Sequence, residues 1–401
     1  MISVAEALDA LFALTHTLET EKVPLRAAAG RTLACDVTAR RTQPPFAASS
    51  MDGYALRRDE VEPDALFKVI GEAAAGHRFE GTVKAGQAVR IFTGAPVPQG
   101  ADFVVIQEDV TRRGDLITLG HSIGDKDNIR PAGGDFHAGD TLSGPRVLRP
   151  ADIALLAAMN IAIVPVVRRP RVAILATGDE LVQPGEDPGP DQIIASNSYG
   201  LAALLADAGA EVRLLPVARD TPASLRRGFE LAQPADLIVT IGGASVGDHD
   251  LVAPVAAELG MQQAFYKVAM RPGKPLMAGR LGDAPMVGLP GNPVSAMVCG
   301  TIFVAPMIRA MLGLGAHPAP RQTAPLATDM PEGGPREHYM RATLAAGCVT
   351  PLPRQDSALL GVLSQADALL VRPPHAPPRA RARLSRSSRS DIAVDRKMEH
   401  P

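Results

Sequence analysis

The sequence has no tryptophan, few aromatic side chains and almost no net charge. Aromatic residues make up 3% of the 401 positions, and the formal net charge at pH 7 is −2. Proteins that bind nucleic acid generally carry a basic face or aromatic platforms on which bases stack. The composition therefore argues against a nucleic-acid binder. The hydrophobic content of 46% is ample for packed cores, and the length suggests about two to four domains.

Cysteine is also scarce. Cys35, Cys299 and Cys348 form no CxxC motif, no zinc-binding spacing and no even set for disulfides. This usage fits a reducing compartment, so we expect a cytoplasmic protein. The chain opens with a segment interrupted by acidic residues, unlike a secretory leader. The longest nearly apolar run, residues 294–308, is shorter than the roughly 20 residues of a bilayer span, and we predict a buried helix there.

The first part of the chain is predicted to be a helical domain with a β-rich insertion. Ser3 and Glu6 form a capping-box pattern at the start of a helix. From residue 43 to residue 139, short β-like runs alternate with glycine, proline and aspartate, which indicates an inserted β-rich domain. Residues 1–42 and 140–168 would then form one N-terminal helical and linker domain.

The remaining chain is predicted to hold two further domains and a tail. Residues 169–316 alternate strand-like and helix-like segments, which is typical of a doubly wound α/β domain with a parallel sheet. Residues 317–376 contain short β-like segments and are predicted to form a small C-terminal β-barrel domain. Residues 377–401 are rich in arginine and serine with few large apolar side chains, so we predict a disordered tail.

Polar motifs converge at one edge of the predicted α/β sheet. Ligands of such sheets bind outside the carboxyl ends of the strands. The motifs that fall there are TGDE at 177–180, Asp220, a glycine loop at 240–250, RPGKP at 271–275 and LPGNPVS at 289–295. Their convergence is stronger evidence for a binding site than any one of them alone.

The glycine loop, TIGGASVGDHD, is the most informative motif. It follows a buried strand, where backbone N–H groups can face an anion. Its candidate cradle residues are Gly242, Gly243, Ser245 and Gly247. Asp248 and Asp250 end the loop, and carboxylates beside a phosphate make electrostatic sense only with a cation between them, most often Mg²⁺. The loop predicts an enzyme that handles a phosphorylated substrate with a divalent metal.

Three cations lie close together after one predicted strand. Lys267, Arg271 and Lys274 suit phosphates and tetrahedral oxyanions. An isolated lysine is usually a solvated edge residue, but the flanking prolines and glycine favour a functional role here. If the strand extends that far, alternation puts Lys267 and Arg271 on one face. Pro275 excludes a Walker A loop, which needs Ser or Thr after Gly-Lys, and the lack of GxGxxG disfavours a dinucleotide-binding dehydrogenase.

Several acidic residues of the motifs also have ordinary structural interpretations. Asp179 with Glu180, and Asp220, could be turn or capping residues, and Asp250 could cap a helix while also binding metal. Ser245 is disfavoured as a nucleophile, because no His–Asp pattern supports a triad.

The β insertion carries two strings that strand periodicity does not explain. They are PPFAASSMDGYA at 44–55 and RIFTGAPVPQGAD at 90–102. Each packs glycine, proline and polar side chains into rigid turns. Such turns suit either a shaped ligand surface or a structural role.

Together these strings resemble the MoeA and gephyrin E-domain family, the molybdopterin molybdenumtransferases. PPF…SMDGYA, TGAPVPxGAD, NIRxxGxDxxxG, TGDEL, GGxSVGDxD, PGKP and LPGNPVS occur in family order over roughly residues 1–372. The resemblance implies an enzyme that inserts molybdenum from molybdate into adenylylated molybdopterin, with release of AMP and a requirement for Mg²⁺. It also implies a MogA-like α/β domain and a homodimer. The active cleft would lie between the α/β domain of one subunit and the β insertion of the other.

The resemblance also implies roles for individual residues. The catalytic candidates are Asp52, Thr93, Asp135, Glu180, Lys267, Arg271, Lys274 and Ser295. The candidates for binding the pterin nucleotide are Gly242, Gly243, Ser245, Gly247, Asp220 and Asn292, and the candidate metal ligands are Asp220, Asp248 and Asp250. A molybdopterin adenylyltransferase is a candidate partner, whereas no nucleic-acid or membrane partner is expected.

Two features depart from the family pattern. Arg271 stands where many members carry lysine, and the tail after about Pro377 does not resemble the closing strands of the family. Two rival functions fit part of the pattern. One is a molybdopterin adenylyltransferase, which would lack the insertion carrying Asp52 and Thr93. The other is a gephyrin-like scaffold, which would usually need a fused second module.

Overall fold

The computed structural model describes residues 1–243 and 251–381, together with the backbone of one further strand at residues 393–396. Its first element is helix α1, Val4–Ala13, and the capping box predicted from Ser3 and Glu6 is confirmed. The Glu6 N–H donates to the Ser3 hydroxyl at 3.1 Å, and the Glu6 carboxylate accepts the Ser3 N–H at 2.7 Å. These bonds satisfy N–H groups that lack partners at the start of a helix.

The inserted region is a β domain. It is preceded by β1 (Thr20–Pro24), β2 (Thr32–Leu33) and β3 (Val37–Thr38). The insertion itself holds β4 (Ala48–Ser49), β5 (Gly53–Leu56), β6 (Leu66–Ala73), β7 (Gln87–Ile91), β8 (Phe103–Ile106), β9 (Val110–Arg113), β10 (Leu116–Leu119) and β11 (Ile129–Arg130). The main sheet has the order β8-β5-β7-β6-β10-β9, and β11 pairs with β4.

The chain then returns to its N-terminal sheet. It does so through β12 (Thr141–Leu142), β13 (Arg146–Val147), α2 (Pro150–Ala158) and β14 (Ile163–Val167). β1 pairs antiparallel with β14, and the sheet order is β1-β14-β2-β13. Segments before and after the insertion therefore share one sheet, and Leu33, Leu148 and Leu156 share one core cluster.

The α/β unit follows. Its elements are β15 (Arg171–Ala176), β16 (Leu181–Val182), β17 (Ile193–Ile194), α3 (Ser196–Asp207), β18 (Glu211–Leu214), α4 (Pro222–Ala232), β19 (Leu237–Ile241), α5 (Val252–Glu258), β20 (Gln262–Tyr266), β21 (Met270–Arg271), β22 (Met277–Leu281), β23 (Ala284–Leu289), α6 (Pro293–Cys299) and α7 (Ala305–Met311). Helices and strands alternate as predicted, and β19 and β23 are buried along their whole length.

The sheet of this unit is mixed, whereas the sequence predicts a parallel one. Its order is β18-β15-β19-β23-β22-β20. β15 pairs parallel with β18 and β19, and β19 pairs parallel with β23. β22 runs antiparallel to both of its neighbours. The reason is local, because only Gly282 and Asp283 connect β22 to β23, and so short a loop can join only antiparallel strands.

α6 and α7 form one helical stretch through a π-helical segment at Gly300–Val304. Among the described residues, Pro293–Met311 is the one helix long and apolar enough to cross a membrane by length and composition. However, 78% of its apolar window is buried inside the protein, where Phe303 and Met307 belong to the main core cluster. It is a core helix, as the sequence predicts.

The C-terminal unit is joined to the α/β unit by backbone hydrogen bonds. It contains β24 (Gln322–Thr323), β25 (Glu337–Ala345), β26 (Cys348–Pro351), α8 (Leu360–Ser364), β27 (Ala368–Arg372) and β28 (Ala393–Arg396). Its sheet has the order β21-β25-β27-β28-β24, with β26 on β25. β21 belongs to the α/β segment of the chain but pairs parallel with β25. The two units therefore meet along this strand pair.

The structure differs from the predicted disordered tail in two segments. Met330 and Arg379 exchange backbone hydrogen bonds of 2.7 and 2.9 Å, and the Arg381 N–H donates to Asp329 at 2.7 Å. Further along, β28 pairs antiparallel with β27. β27 offers a backbone edge beyond β25, and a short run of β-forming residues suffices to pair with an open edge. Composition alone does not reveal that edge.

Asp236 holds the junction between the N-terminal sheet and the α/β unit. Arg168, directly after β14, donates to both Asp236 carboxylate oxygens at 2.7 and 2.9 Å and also pairs with Glu19. The Arg171 N–H donates to Asp236 at 2.7 Å. Burial raises the pKa of Asp236, but the bonds and positive charges of Arg168 and Arg171 outweigh it and hold the pKa below its usual value.

We expect Asp236→Asn to lower the free energy of unfolding by about 2–3 kcal/mol, because Arg168 would lose the more buried of its two charged partners. The two side chains are only 20% and 15% exposed. A depressed carboxyl pKa stabilises the fold above the unfolded-state value of about 4, and this stabilisation is lost as pH falls. The variant and wild type should therefore converge in acid, as measured by urea unfolding. Glu258→Gln, in an exposed pair with Arg226, is the control and should lose less than about 1 kcal/mol. Equal losses would contradict the prediction.

Candidate functional site

A cleft of about 330 Å³ opens between the α/β unit and the C-terminal unit. Four candidates predicted from the sequence, Arg271, Lys274, Asn292 and Ser295, line it together. Pro272, Gly273 and Pro275, which belong to the predicted RPGKP motif, line it as well. The remaining lining residues were not predicted, and they are Arg336, Gln355, Asp356 and Ser357. Three of the lining side chains are cations and one is a carboxylate, so the lining is suited to an anion.

The cationic loop is held tightly on both sides. β21 places Arg271 opposite His338 of β25, and an Arg336 guanidinium N–H donates to the Met270 carbonyl at 3.3 Å. On the other side, a Cβ at Gly273 would come within 2.4 Å of the Cys299 Sγ in α6. The φ of Gly273 is +104°, which favours glycine. The loop from Arg271 to Lys274 is thus fixed between β25 and α6.

The wall behind the cleft is electropositive. Burial, followed by the positive charges of Arg271 and Arg341, lowers the pKa of His338 to about 4. The imidazole is therefore uncharged near neutral pH. The positive charge behind the cleft thus comes from arginines such as Arg271 and Arg341, and His338 adds none.

Lys267 and Arg271 do not lie on one strand, so the condition under which they were predicted to share a strand face is not met. β20 ends at Tyr266, and Lys267 has a left-handed φ of +71°. Its backbone is held by hydrogen bonds to Leu276 and Ile2, while its Nζ lies 5.1 Å from the centroid of the Tyr266 ring. Lys267 is not among the residues that line the cleft. A left-handed non-glycine residue is strained by about 1–2 kcal/mol, and such strain concentrates at functional sites.

The described start of the glycine loop, here called the glycine cradle, is packed closely against its neighbours. Gly242 and Gly243 follow β19 with φ of +91° and +60°. A Cβ at Gly242 would lie 2.7 Å from the Thr177 carbonyl oxygen, and one at Gly243 would lie 2.3 Å from Val252. The buried Thr177 hydroxyl finds no hydrogen-bond partner among the described residues. Only glycine fits at these positions, because neighbouring protein atoms fill the space that a side chain would take. Ser245, Gly247, Asp248 and Asp250 lie outside the described residues.

Two predicted acidic residues meet at the ends of neighbouring strands. The Asp179 N–H donates to the Asp220 carboxylate at 3.4 Å, and the Asp220 N–H donates to that of Asp179 at 3.2 Å. The exposed Glu180 turns its carboxylate over Gly178, whose added Cβ would lie 2.4 Å from Glu180 Oε2. Within residues 1–243 and 251–381, no three His, Cys, Asp or Glu side chains form a metal-binding group. Asp220 thus has an acidic neighbour, but the other predicted metal ligands are not described.

The inserted domain holds a separate polar group. Asp52 and Thr93 flank the paired strands β5 and β7, and Asp52 Oδ1 accepts both the Thr93 N–H and its hydroxyl at 2.8 Å. These bonds, first from the backbone and then from the hydroxyl, lower the pKa of Asp52. The Asp135 N–H donates to the Gln43 carbonyl at 3.0 Å. These hydrogen bonds stay within the N-terminal part of the chain and do not reach the cleft.

The residues that sequence reasoning missed come from the C-terminal unit. Arg336, Gln355 and Ser357 reach the cleft because β21 pairs with β25 and because the Val294 N–H donates to the Ser357 carbonyl at 2.9 Å. No spacing in the sequence connects these residues with Arg271. The one available signal is an arginine next to Pro335 at the start of a β-like run, which is weak by itself.

Three family models match the chain in order. They are the MoeA N-terminal region (domain I and II) at residues 2–160, the probable molybdopterin binding domain at residues 173–310 and the MoeA C-terminal region (domain IV) at residues 323–381. The matches cover the N-terminal and inserted domains, the α/β unit and the C-terminal unit described above.

Relatives with known names are similar over most of their length. The molybdopterin molybdenumtransferase of Nostoc sp. is 39% identical over 78% of this chain and 75% of the relative. That of Haemophilus influenzae is 38% identical over 79% and 78%. The crystal structure of a molybdopterin biosynthesis MoeA protein from Pyrococcus horikoshii is 27% identical, with a TM-score of 0.84 over 99% of this chain and 100% of that one. The chain belongs to the MoeA family of molybdopterin molybdenumtransferases.

Proposed function

We propose that this protein is a molybdopterin molybdenumtransferase that inserts molybdenum from molybdate into adenylylated molybdopterin and releases AMP. The observation that carries the proposal is the cleft, in which Arg271, Lys274 and Arg336 converge with Ser295 and Ser357. Fixed cations and hydroxyl donors match a small tetrahedral dianion such as molybdate. The glycine loop that begins with the glycine cradle would bind the phosphate groups of the pterin nucleotide through N–H groups other than that of Gly242, which donates to the Leu289 carbonyl.

The two binding regions lie at the same edge of one sheet. The Gly242 N–H donates to the Leu289 carbonyl, so the glycine cradle adjoins the loop that leads into α6 and Ser295. Binding both reactants at this edge would lower the barrier chiefly by positioning them and by stabilising charge. The reaction hydrolyses the phosphoanhydride bond of the substrate: an oxygen atom from water bonds to phosphorus, molybdopterin keeps its phosphate, and AMP leaves as the metal is transferred.

The experiment that tests this function is an AMP-release assay on the purified protein with adenylylated molybdopterin. We expect AMP only when molybdate is present. Release of pyrophosphate from molybdopterin and Mg-ATP would instead support an adenylyltransferase. Lack of both activities would leave a scaffold as the better interpretation.

We also propose that the enzyme uses Mg²⁺. Asp220, together with Asp248 and Asp250, would hold the ion, since Mg²⁺ in nucleotide sites typically takes one or two carboxylates and the substrate phosphates. When bound, the ion neutralises phosphate charge. The reciprocal contact of Asp179 and Asp220 fits this role, because two adjacent carboxylates favour a nearby cation.

Asp220→Asn should therefore raise the Mg²⁺ concentration needed for half-maximal AMP release by about tenfold or more, as expected when a charged ligand is lost. Saturating Mg²⁺ should restore part of the rate. Asp283→Asn, in the turn between β22 and β23, is the control and should leave the Mg²⁺ dependence unchanged. An unaltered dependence in Asp220→Asn would remove this residue from the metal site.

Lys267 offers a test that separates stability from function. Lys267→Gly relieves the left-handed strain, so the free energy of unfolding should stay equal or rise by up to about 1 kcal/mol, whereas AMP release should fall. Asn160→Gly is a matched control, because Asn160 also has a left-handed φ, of +64°, but follows α2 in the N-terminal part of the chain and belongs to none of the predicted site motifs. It should keep full activity. Full activity in Lys267→Gly as well would show that Lys267 has no functional role.

Further parts of the proposal concern assembly and location. We propose a homodimer in which the Asp52 and Thr93 group of one subunit completes the cleft of the other. All residues that line the described cleft come from the α/β and C-terminal units, and the inserted domain of the same chain supplies none of them. We propose a cytoplasmic enzyme that receives its substrate from a molybdopterin adenylyltransferase. Cell fractionation tests the location, and recovery in the membrane fraction would oppose it. Co-purification tests the partner, and recovery of the enzyme without a molybdopterin adenylyltransferase would oppose it.

A further inference from the structure

Arg341, in the middle of β25, is a fully buried arginine at 0% exposure. One guanidinium nitrogen, Nη2, donates to the Asp356 carbonyl at 3.0 Å. The other two, Nε and Nη1, are buried and find no acceptor among the residues the structure describes. A buried charge with so few partners is costly. Packing alone does not account for a charged side chain at this position.

Arg341 also fixes Gln355–Ser357, the segment that forms one wall of the cleft. Its N–H donates to Gln355 Oε1 at 3.0 Å, while Gln355 Nε2 donates to the Arg341 carbonyl at 2.9 Å and to the Leu352 carbonyl at 2.7 Å. Gln355 and Asp356 both line the cleft. The wall is therefore held from behind by both the backbone and the side chain of Arg341.

The charge of Arg341 also reaches the cleft. Burial lowers the pKa of Arg341, the carboxylate of Asp356 opposes this, and the positive charge of Arg271 adds to the lowering. Arg341 and the cleft cation Arg271 thus repel each other, and solvent screens part of this repulsion because Arg271 is exposed. An anion in the cleft relieves that repulsion, and a dianion relieves it more than a monoanion does.

We propose that Arg341 is a positioning residue of the cleft, which fixes the Gln355–Ser357 wall and supplies a buried positive charge that favours a doubly charged tetrahedral oxyanion over a singly charged one. The inference rests on the proposed function in so far as the oxyanion is molybdate. Arg341 does not line the cleft itself and acts through the wall and through its field.

Arg372 provides a matched control in the same sheet. It lies on β27, is 4% exposed and also has a buried nitrogen without a partner among the described residues. However, its Nη2 donates to the carbonyls of Pro331, Ala376 and Pro377, none of which lines the cleft. Arg372→Met therefore removes a comparable buried charge without touching the wall.

The experiment measures binding of molybdate, and of its monoanionic tetrahedral counterpart perrhenate, to the full-length protein by calorimetry. Arg341→Met should weaken molybdate binding by about tenfold to a hundredfold, the range in which groups behind a ligating shell act, and should weaken perrhenate binding less. Arg372→Met should leave the preference for molybdate unchanged. Equal effects in both variants, or none in Arg341→Met, would overturn the inference.

Arg341→Lys keeps the inference testable if the methionine variant does not fold. Lysine keeps the charge but lacks the guanidinium N–H that donates to the Asp356 carbonyl. This variant should therefore weaken binding of molybdate and of perrhenate alike and retain the preference for molybdate. Loss of that preference would refute the electrostatic role. In turnover, KM for molybdate should rise while KM for adenylylated molybdopterin stays within about twofold. Anion binding needs no turnover, so a wild type that binds molybdate but releases no AMP would refute the proposed function and leave this inference standing.

Discussion

Lys274→Ala should nearly abolish molybdate-dependent AMP release. Lys274 lines the cleft beside Arg271 and Arg336, and Asp356 is the one acidic side chain in the lining. Lys274 is exposed in the structure, and a substrate bound in the cleft would cover it. Loss of one member of a charge pair that binding has desolvated costs about 2–5 kcal/mol, which lowers kcat/KM by about 30-fold to 5,000-fold. Steady-state AMP release at varied molybdate concentrations measures the loss.

The fold should survive this substitution. The local structure at Lys274 is held by its backbone carbonyl, which accepts the N–H groups of Val268 and Leu276 at 3.0 and 3.1 Å. Alanine keeps both bonds, so the unfolding midpoint should change little. Lys22→Ala, an exposed lysine on β1 far along the chain from the cleft, is the control for loss of one surface charge. Normal turnover in Lys274→Ala would remove the cationic cleft from the reaction.

Local features of the fold follow from the sequence, because their causes are local. Ser3 caps α1 as predicted, and Thr221 caps α4 by accepting the Ser224 N–H at 3.2 Å. The polar motifs that follow parallel strands do meet at one edge, because parallel strands present their carboxyl ends together. Arg271, Lys274 and Ser295 could therefore be placed in one site before any coordinates were known.

Other features depend on contacts between distant parts of the chain. The left-handed turn at Lys267 is set by partners at Ile2 and Leu276, and nothing in the residue type signals it. The pairing of β21 with β25 brings Arg336 and Ser357 to the cleft across a domain boundary. Periodicity describes one element at a time and cannot show which edges meet. The missed half of the cleft comes entirely from such a meeting.

The proposed sharing of the active site between subunits can be tested by complementation. Asp52 is held ionised by Thr93, since both hydrogen bonds lower its pKa, and the pair lies at the end of the inserted sheet. If this group serves the cleft of the partner, Asp52→Ala and Lys274→Ala should each inactivate the homodimer. A heterodimer of the two variants should regain about half of the wild-type activity, because one of its two sites then has both residues intact.

The activity of this heterodimer distinguishes a site shared between two subunits from a site formed within one chain. If Asp52 and Lys274 acted within one chain, each site of the heterodimer would carry one defect and activity would stay lost. Heterodimers purified through two different affinity tags allow the measurement without contamination by homodimers. A heterodimer of Lys274→Ala with Arg271→Ala is the control and should stay inactive, because both residues line the same cleft of one chain. Each site of this control lacks one cation of its cleft, whichever subunit supplies Asp52. Recovery of activity in the heterodimer of Asp52→Ala with Lys274→Ala, but not in the control, would therefore assign Asp52 and Lys274 to opposite subunits.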